Sequence, residues 1–419
     1  MIMARLNIQR RRKKSNSGFV FLMIILLLVS FFAGFFVGKN SGKGKTDGKE
    51  KEGKKSEQKQ EQSNPNQATD AEAAVDKLMS EMTLSDKVYQ MMFVTPESIT
   101  KVGAVVQAGE TTKNAIAAYP VGGLVYFAKN FESREQTVTM LQNTQSYSKI
   151  PLFISVDEEG GRVSRLGSNQ AMGVTKQPPM KEIGDTKDAQ KAYAIGQTLG
   201  EELTALGFNT DFAPIADVLL HANNTEIGDR SFGSNPEEVA VMVENIVKGM
   251  EEKGLSATLK HFPGHGSTQT DSHTGYSESQ RTLDELRSFE FLPFISGFNA
   301  GADMVMISHM TLVNATEEKV PCSVSKEVIT DLLKTELGFQ GVILTDSFQM
   351  KAITDQYTSA QAAVKAIEAG VDMILMPQDL EAAHKGIVDA VNAGTISQER
   401  IDESVKKILM LKFEKGMLN

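Results

Sequence analysis

Eight short apolar segments recur between residues 70 and 419 of this 419-residue chain, and stretches of helical periodicity separate most of them. The apolar segments are residues 89–94, 123–127, 152–156, 210–215, 256–259, 304–307, 342–344 and 372–376. Short apolar runs of this kind indicate strands that are buried on both faces of a parallel sheet. Their alternation with helices predicts an α/β fold, specifically a (β/α)8 barrel of the TIM type.

A doubly wound open sheet is the alternative fold. Sheets of that kind that bind nucleotides carry a glycine-rich phosphate loop, GxGxxG after the first strand or GxxxxGK[ST]. The first pattern does not follow the first apolar segment and the second occurs nowhere in the sequence. The barrel is therefore the favoured prediction.

The first 69 residues differ in composition from the rest of the chain. Residues 1–17 contain six basic and no acidic side chains, and residues 18–38 are uncharged and mostly apolar. At ~1.5 Å per residue, such a run is long enough to cross a hydrocarbon core of ~30 Å. We therefore expect a basic cytoplasmic tail, a single transmembrane signal anchor at 18–38, and a domain outside the cytoplasm at the cell membrane. A cleaved secretory signal is the alternative.

Residues 39–69 are rich in Lys, Gly, Glu, Gln and Ser and are predicted to form a disordered polar linker, which leaves residues 70–419 as the folded domain. The net charge of the chain is −9, but the residues after 70 alone carry about −17. Such a domain should repel nucleic acid. The one cysteine, Cys322, cannot form an intramolecular disulfide or a multi-cysteine metal site.

Polar and charged residues follow five successive apolar segments. They are Asp157, Glu158, Glu159, Arg162 and Arg165 after the third; Asp211, Asp217, Asp229 and Arg230 after the fourth; Lys260, His261, His265, Asp271 and His273 after the fifth; Ser308 and His309 after the sixth; and Asp346 after the seventh. The carboxyl ends of barrel strands meet on one face, where barrel enzymes place their active sites. We therefore predict a functional site on that face.

Two of the histidines raise the question of a metal. His261 and His265 have the i, i+4 spacing of a helical zinc site, but Pro263, Gly264 and Gly266 disfavour a helix there, and no HExxH pattern occurs. We predict no metal and no cofactor, with a metal-dependent barrel hydrolase as an alternative.

The segment KHFPGHG at residues 260–266, followed by Asp271, Ser272 and His273, resembles the signature of glycoside hydrolase family 3 in its β-N-acetylglucosaminidase, or β-N-acetylhexosaminidase, branch. Segments 157–165, 227–233, 291–303 and 344–350 resemble further blocks of that family in the same order. The resemblance covers roughly residues 75–415. Thr225 and Ser277 depart from it, since each stands where the family usually has proline.

The resemblance implies a barrel that cleaves β-linked sugars with retention through a covalent glycosyl enzyme. It implies that Asp346 is the nucleophile, that His273 is the acid and base, and that Asp271 is the partner of His273 in a dyad. A carboxylate can accept a hydrogen bond from one ring nitrogen and leave the other to exchange protons. The family's sugar-contacting positions correspond to Asp157, Arg165, Arg230, Lys260 and His261.

These implications predict a retaining exo-β-N-acetylglucosaminidase that releases terminal GlcNAc from peptidoglycan fragments, muropeptides or related β-linked saccharides. The chain ends with a helix at 398–415 and leaves no length for a second catalytic domain, which favours the single-domain branch. The open alternatives are a β-N-acetylglucosaminide phosphorylase, another β-glycosidase on the same barrel and a catalytically silent sugar-binding surface protein. The sequence leaves the oligomeric state open.

Overall fold

Eight parallel strands form the centre of the fold. The computed structural model describes residues 65–268 and 275–418. The strands are β1 (Met92–Val94), β2 (Gly123–Val125), β3 (Phe153–Val156), β4 (Thr210–Asp211), β5 (Ser256–Phe262), β6 (Met304–Ile307), β7 (Val342–Thr345) and β8 (Ile374–Leu375). Every residue of these strands is buried, as their continuous apolar runs predict.

The sheet closes into a barrel. Neighbours in the chain pair in parallel from β1 to β7, and β1 pairs with β8. A parallel bridge between Leu344 and Met373 joins β7 to the chain entering β8, and the backbone N–H of Thr345 donates to the carbonyl of Met373 (3.1 Å). A closed sheet has no exposed edge, and the carboxyl ends of all eight strands lie on one face.

Helices cover the outside of this barrel. The α-helices are Pro65–Ser80, Leu84–Gln90, Pro96–Thr100, Glu110–Ala118, Arg134–Tyr147, Met180–Thr186, Ala189–Leu206, Pro236–Glu252, Leu283–Ser288, Phe291–Asn299, Lys351–Thr354, Ser359–Ala369, Leu380–Asn392 and Gln398–Glu414, and Glu327–Glu336 is wound as a π-helix. Single 3-10 turns occupy Ala128–Asn130, Gln170–Met172, Gly228–Arg230, His265–Ser267 and Cys322–Val324. Two small sheets add Glu158–Gly160 paired with Val163–Ser164, and Glu278–Thr282 paired with Thr311–Asn314.

One stretch of helical periodicity is interrupted. The helical periodicity of residues 283–300 predicts one continuous helix. The structure instead has two helices, Leu283–Ser288 and Phe291–Asn299, with Phe289 between them at φ −130° and ψ −72°. Pro293 lies in the first turn of the second helix, where its missing N–H needs no intrahelical partner. In a single helix the same proline would lie in the interior and would break the hydrogen-bond ladder.

The predicted transmembrane helix has to be corrected. Within the two described stretches, no helix is both long and apolar enough to cross a membrane. The longest, Ala189–Leu206, and the nearly as long Pro236–Glu252 are amphipathic and turn a polar face outward. Residues 1–64, with the predicted tail, anchor and most of the linker, lie outside the described residues. The predicted export of the domain rests on those same residues and stays a prediction.

The described part of the chain begins inside the predicted linker. Helix Pro65–Ser80 starts five residues before the expected domain boundary at 70. Its proline occupies the first helical position, and alanine-rich sequence follows, which favours helix even though the first residues are polar.

A buried lysine lies at the opposite end of the barrel from the strand carboxyl ends. Lys412, on helix Gln398–Glu414, is fully buried and donates to Oε1 of Gln90 (2.8 Å), just before β1. Its ammonium also lies 5.0 Å from the ring centre of Phe153, at the start of β3. Burial lowers the pKa of Lys412 to about 7. The helix is thus docked to the barrel by a lysine with no carboxylate beside it among the contacts of the described residues.

We expect Lys412→Met to raise the free energy of unfolding at pH 7 by roughly 2 kcal/mol. The folded-state pKa lies below that of the unfolded chain, so the unfolded state binds the extra proton between about pH 7 and pH 10. Wild-type stability should therefore rise by up to about 3 kcal/mol between pH 7 and pH 9.5, so the advantage of the variant should be gone at the higher pH. Chemical denaturation of both proteins at pH 7 and pH 9.5 measures the difference. Lys412→Arg, which cannot lose its proton, should be less stable than the wild type at both values.

Candidate active site

A cleft of about 760 Å³ opens at the carboxyl ends of the strands. The wall includes six of the residues expected to act on substrate: Asp157, Arg165, Arg230, Lys260, His261 and Asp346. They come from the ends of β3, β5 and β7 and from the segment after β4. The other two, Asp271 and His273, lie outside the described residues. The structure therefore brings six of the eight predicted residues together at the carboxyl ends of the strands.

Lys260 is the central cation of the cleft. Its ammonium lies 2.8 Å from Oδ1 of Asp157 and 2.5 Å from Oε1 of Glu159. Burial by itself would lower the pKa of Lys260, but these two carboxylates outweigh it and the pKa is raised. The lysine is therefore held as a cation in a nearly dry environment.

Glu159 connects Lys260 to Arg230. Both carboxylate oxygens of Glu159 accept hydrogen bonds from the guanidinium of Arg230 at 2.8 Å, and the side chain of Glu159 is only 2% exposed. Burial would raise the pKa of Glu159, but Arg230 and Lys260 together hold it far below its usual range. This carboxylate fixes two cations from different segments. From the sequence, Glu159 is expected at the end of β3, but no role is predicted for it.

Asp157 is the carboxylate of this group that faces the cleft. One oxygen contacts Lys260, and the other lies 3.6 Å from Nη2 of Arg165, whose guanidinium lies 5.6 Å from the ring centre of Phe127. The side chain of Asp157 is 17% exposed. A carboxylate fixed between two cations in a partly open cleft is well suited to accept hydrogen bonds from sugar hydroxyls.

Asp217 orients His261. The buried carboxylate accepts from the backbone N–H of His261 (3.2 Å) and of His265 (2.6 Å), and its Oδ2 lies 2.8 Å from Nδ1 of the His261 ring. Burial would raise the pKa of Asp217, but the His261 ring and the other partners lower it. An ionised Asp217 favours the tautomer in which Nδ1 of His261 donates and Nε2 can accept from a ligand.

His265 anchors the described start of the segment that leads to Asp271 and His273. Its Nδ1 lies 2.9 Å from Oγ1 of Thr268, and its Nε2 lies 3.6 Å from Oε2 of Glu226. The rings of His261 and His265 stand edge to face with 6.0 Å between their centres. Across residues 65–268 and 275–418, no group of three or more His, Cys, Asp or Glu side chains has the arrangement of a metal site.

Asp346 follows directly after β7 and is half-buried. Its backbone N–H donates to the carbonyl of Ile307 (2.8 Å), and its Oδ1 accepts from the N–H of Ser347 (2.7 Å). The buried ring of His309 lies 2.9 Å through Nε2 from the carbonyl of Ser347 and 2.8 Å through Nδ1 from Oγ of Ser323. The barrel thus holds this carboxylate on a rigid strand end, which a nucleophile requires.

Two further acids lie beneath the cleft. Glu158 accepts from the hydroxyl of Ser164 and from the N–H of Leu166 (2.7 Å), and so shapes the turn that carries Arg165. Asp211 accepts from the N–H of Glu158 (3.0 Å). Burial is the main cause that raises the pKa of both carboxyls, of Asp211 well above its usual value.

Arg162 is a second arginine of the same turn. It donates to the backbone carbonyls of Thr225, Glu226 and Ile227 and to Oδ1 of Asp229 (3.0 Å). It therefore ties the turn after β3 to the segment after β4. Arg162 has no role in the sequence-based prediction, because no sequence pattern shows that its partners are backbone carbonyls 63 to 65 residues away.

The closed parallel barrel and its polar cleft place this protein among the α/β-barrel proteins with a site at the strand carboxyl ends. The family model described as "Glycosyl hydrolase family 3 N terminal domain" matches residues 83–411. The chain belongs to glycosyl hydrolase family 3, as its motifs predicted.

Curated relatives of this chain carry the name beta-hexosaminidase, and two of them show the extent of the similarity. Beta-hexosaminidase A of Pseudoalteromonas piscicida is 35% identical over 325 residues, which are 71% of this chain and 54% of that protein. Beta-hexosaminidase of Stenotrophomonas maltophilia is 37% identical over 263 residues, which are 61% of this chain and 76% of that protein. The chain thus spans about half the length of the first relative and three quarters of the second.

A solved structure is also similar. It is a glycoside hydrolase family 3 beta-N-acetylglucosaminidase from Paenibacillus sp. str. FPU-7, with a TM-score of 0.75 and 36% sequence identity. The match covers 80% of this chain and 63% of that one.

We expect Glu159→Gln to destabilise the protein by roughly 3 kcal/mol at pH 7, because two buried cations lose their shared counter-charge. The depressed pKa of Glu159 means that its contribution is present above the unfolded-state pKa of about 4 and declines as pH falls towards the folded-state value. The gap between variant and wild type should therefore narrow below about pH 4. Chemical denaturation as a function of pH measures it.

Asp229→Asn is the matched control, since it removes one exposed carboxylate from Arg162 and should change stability by less than about 0.5 kcal/mol. Equal effects of the two substitutions would contradict the special role of Glu159.

Proposed function

We propose that this protein is a retaining exo-β-N-acetylglucosaminidase that releases terminal GlcNAc from peptidoglycan fragments, including muropeptides. One observation carries the proposal: the strand-end carboxylate Asp346 shares one cleft with the fixed group Asp157, Lys260 and Arg165. The names of the relatives and of the similar structure support the choice of sugar.

In this proposal the cleft binds one sugar at the non-reducing end of the substrate. Asp157 accepts hydrogen bonds from its hydroxyls, and Lys260 donates to them. Nε2 of His261 supplies a further polar contact. Several charged groups from different strands surround a single sugar, which favours exo cleavage. Because Asp157 and Lys260 are already paired, they need little reorganisation on binding.

Catalysis would proceed in two displacements. Asp346 attacks the anomeric carbon while the leaving oxygen takes a proton from His273, and a covalent glycosyl enzyme forms. The same histidine then removes a proton from water, which attacks the anomeric carbon and frees Asp346. Two inversions give net retention. Asp271 would orient His273 and stabilise its cationic form. The roles of His273 and Asp271 rest on the sequence motif.

Replacing Asp346 with Asn preserves the shape of the side chain and removes the nucleophile. We expect kcat to fall by several orders of magnitude while the thermal unfolding temperature changes little. A slow fluorinated GlcNAc donor should add one sugar mass to the wild type, on the peptide that contains Asp346, and mass spectrometry detects it. Labelling of another peptide, or inverted product stereochemistry, would refute the assignment.

The dyad can be tested through the leaving group. A sugar leaves only with proton donation, whereas an activated phenol leaves without much help. His273→Ala should therefore slow disaccharide hydrolysis far more than formation of the glycosyl enzyme from an activated aryl glycoside. Asp271→Asn should show the same pattern, and the double variant should be little worse than either single one, because the two residues act as a unit. Additive and equal losses on both substrates would argue against the dyad.

Product analysis separates hydrolysis from phosphorolysis. The proposed hydrolase should give free GlcNAc whether or not inorganic phosphate is present. GlcNAc 1-phosphate formed in phosphate buffer would instead support the phosphorylase alternative.

A further inference from the structure

His309 contacts the turn that carries Asp346, and the proposed reaction leaves it without a role. It follows β6, the strand that pairs in parallel with β7, and it is only 1% exposed. The wall of the catalytic cleft includes Asp346 and Ser347, and in the described part of the chain it does not include His309. From this position His309 acts through its neighbours.

The hydrogen-bond partners of His309 define its tautomer. Nε2 lies 2.9 Å from the carbonyl oxygen of Ser347, which can only accept, so Nε2 carries a proton. Nδ1 lies 2.8 Å from Oγ of Ser323, a fully buried hydroxyl that can donate. In the neutral ring Nδ1 accepts from this hydroxyl, so that both ring nitrogens and the hydroxyl are paired.

The turn after β7 is anchored to the barrel on both sides of Ser347. The backbone N–H of Asp346 donates to a carbonyl at the end of β6 (2.8 Å), and that of Phe348 donates to a carbonyl at the end of β8 (2.9 Å). Between these two anchors, the carbonyl of Ser347 accepts from Nε2 of His309. His309 therefore fixes the peptide that joins Ser347 to Phe348.

Ser347 connects this contact to the carboxylate of Asp346. The backbone N–H of Ser347 donates to Oδ1 of Asp346 (2.7 Å), while its carbonyl accepts from His309 and from the N–H of Met350 (3.1 Å). Rotation of the Ser347 backbone would therefore disturb both sets of contacts together. A nucleophile needs accurate placement, since a shift of ~1 Å can cost about a hundredfold in rate.

Packing alone does not require a histidine at this position. The rings of His309 and Phe348 lie 5.6 Å apart, centre to centre, at an angle of 49°. A phenylalanine would fill a similar volume but would leave the Ser347 carbonyl and the Ser323 hydroxyl without the ring nitrogens. The two polar contacts, rather than the volume, therefore distinguish His309.

We propose that His309 is a positioning residue that holds Asp346 in its attacking orientation through the backbone of Ser347. The inference rests on the proposed function, since Asp346 is the nucleophile of that reaction. His309 exchanges no proton with the substrate in this role. Its loss should therefore lower the rate of the reaction and leave the binding of a sugar unchanged.

The test uses the full-length protein and the variant His309→Phe, which keeps a ring and removes both polar contacts. We expect kcat for an aryl β-GlcNAc to fall between about tenfold and a hundredfold, because the carboxylate is less well placed. The inhibition constant of the product GlcNAc should change by less than about twofold. The kcat for GlcNAc-β-1,4-GlcNAc should fall to the same extent, because Asp346 attacks in both reactions. Loss of His273 should instead affect the disaccharide most.

Two matched variants identify the contact. His309→Gln can still donate an N–H to the Ser347 carbonyl, so it should regain most of the lost kcat. Ile387→Val shortens a buried side chain on the outer helix Leu380–Asn392 and should lower stability without changing kcat. Thermal unfolding of each variant shows whether kcat follows the contact or the stability.

Ser323→Ala tests the other side of the ring. It removes the hydroxyl at Nδ1 and keeps the contact between Nε2 and the Ser347 carbonyl. We expect kcat to fall about threefold, again without a change in the inhibition constant of GlcNAc. This variant decides the question if His309→Phe does not fold, since an unchanged kcat in Ser323→Ala would then overturn the proposal.

The outcomes separate this inference from the proposed function. The role of His309 would be overturned by an unchanged kcat in folded His309→Phe, by a loss confined to sugar binding, or by a His309→Gln as slow as His309→Phe. An equal loss of kcat in Ile387→Val would overturn it as well. In each case the wild type would remain an active glycosidase. A wild-type protein inactive on the aryl substrate would refute the proposed function, and the inference would fall with it.

Discussion

The cleft depends on one buried carboxylate. Glu159 follows β3 and holds Lys260 from β5 and Arg230 from the segment after β4, all with little access to water. Ion pairs in such surroundings are weakly screened, and removing one partner leaves an uncompensated charge. Three segments that are distant in the sequence are therefore fixed by a single group. The position of Asp157, which shares Lys260 with it, follows from that arrangement.

Neighbouring acids in this arrangement have different surroundings. Glu159 is saturated by its cations, whereas Asp157 keeps part of its surface towards the cleft. The hydrogen-bonding oxygens of Asp217 are likewise occupied by His261 and His265. The ring of His261 is therefore held in one orientation while it lines the cleft. Side chains that line the cleft are thus oriented by neighbouring carboxylates that are themselves almost fully buried.

Much of the architecture could be predicted from the sequence because the physical signal is local. Buried parallel strands need continuous apolar residues, and six of the eight strands lie within the apolar runs, while β5 and β7 start with their runs and extend three residues and one residue beyond them. The polar residues at their ends converge because a barrel brings those ends together. The break at Phe289 could not be placed by periodicity, since both halves keep the same helical phase. The roles of Glu159 and Arg162 depend on partners over 60 residues away, which no local pattern records. The prediction of a membrane helix rests on the length of an uncharged apolar run and on the basic residues before it, and no described helix supports it.

The buried acids Glu158 and Asp211 change how charge should be counted in this protein. Formal arithmetic gives each carboxyl a full negative charge, but burial raises the pKa of both groups, that of Asp211 well above its usual value, and so shifts them towards the neutral form. A neutral carboxylic acid has a dipole but no net charge, so its field falls off more steeply with distance than that of a carboxylate. These two acids therefore contribute less negative potential at this end of the barrel than their formal charges suggest.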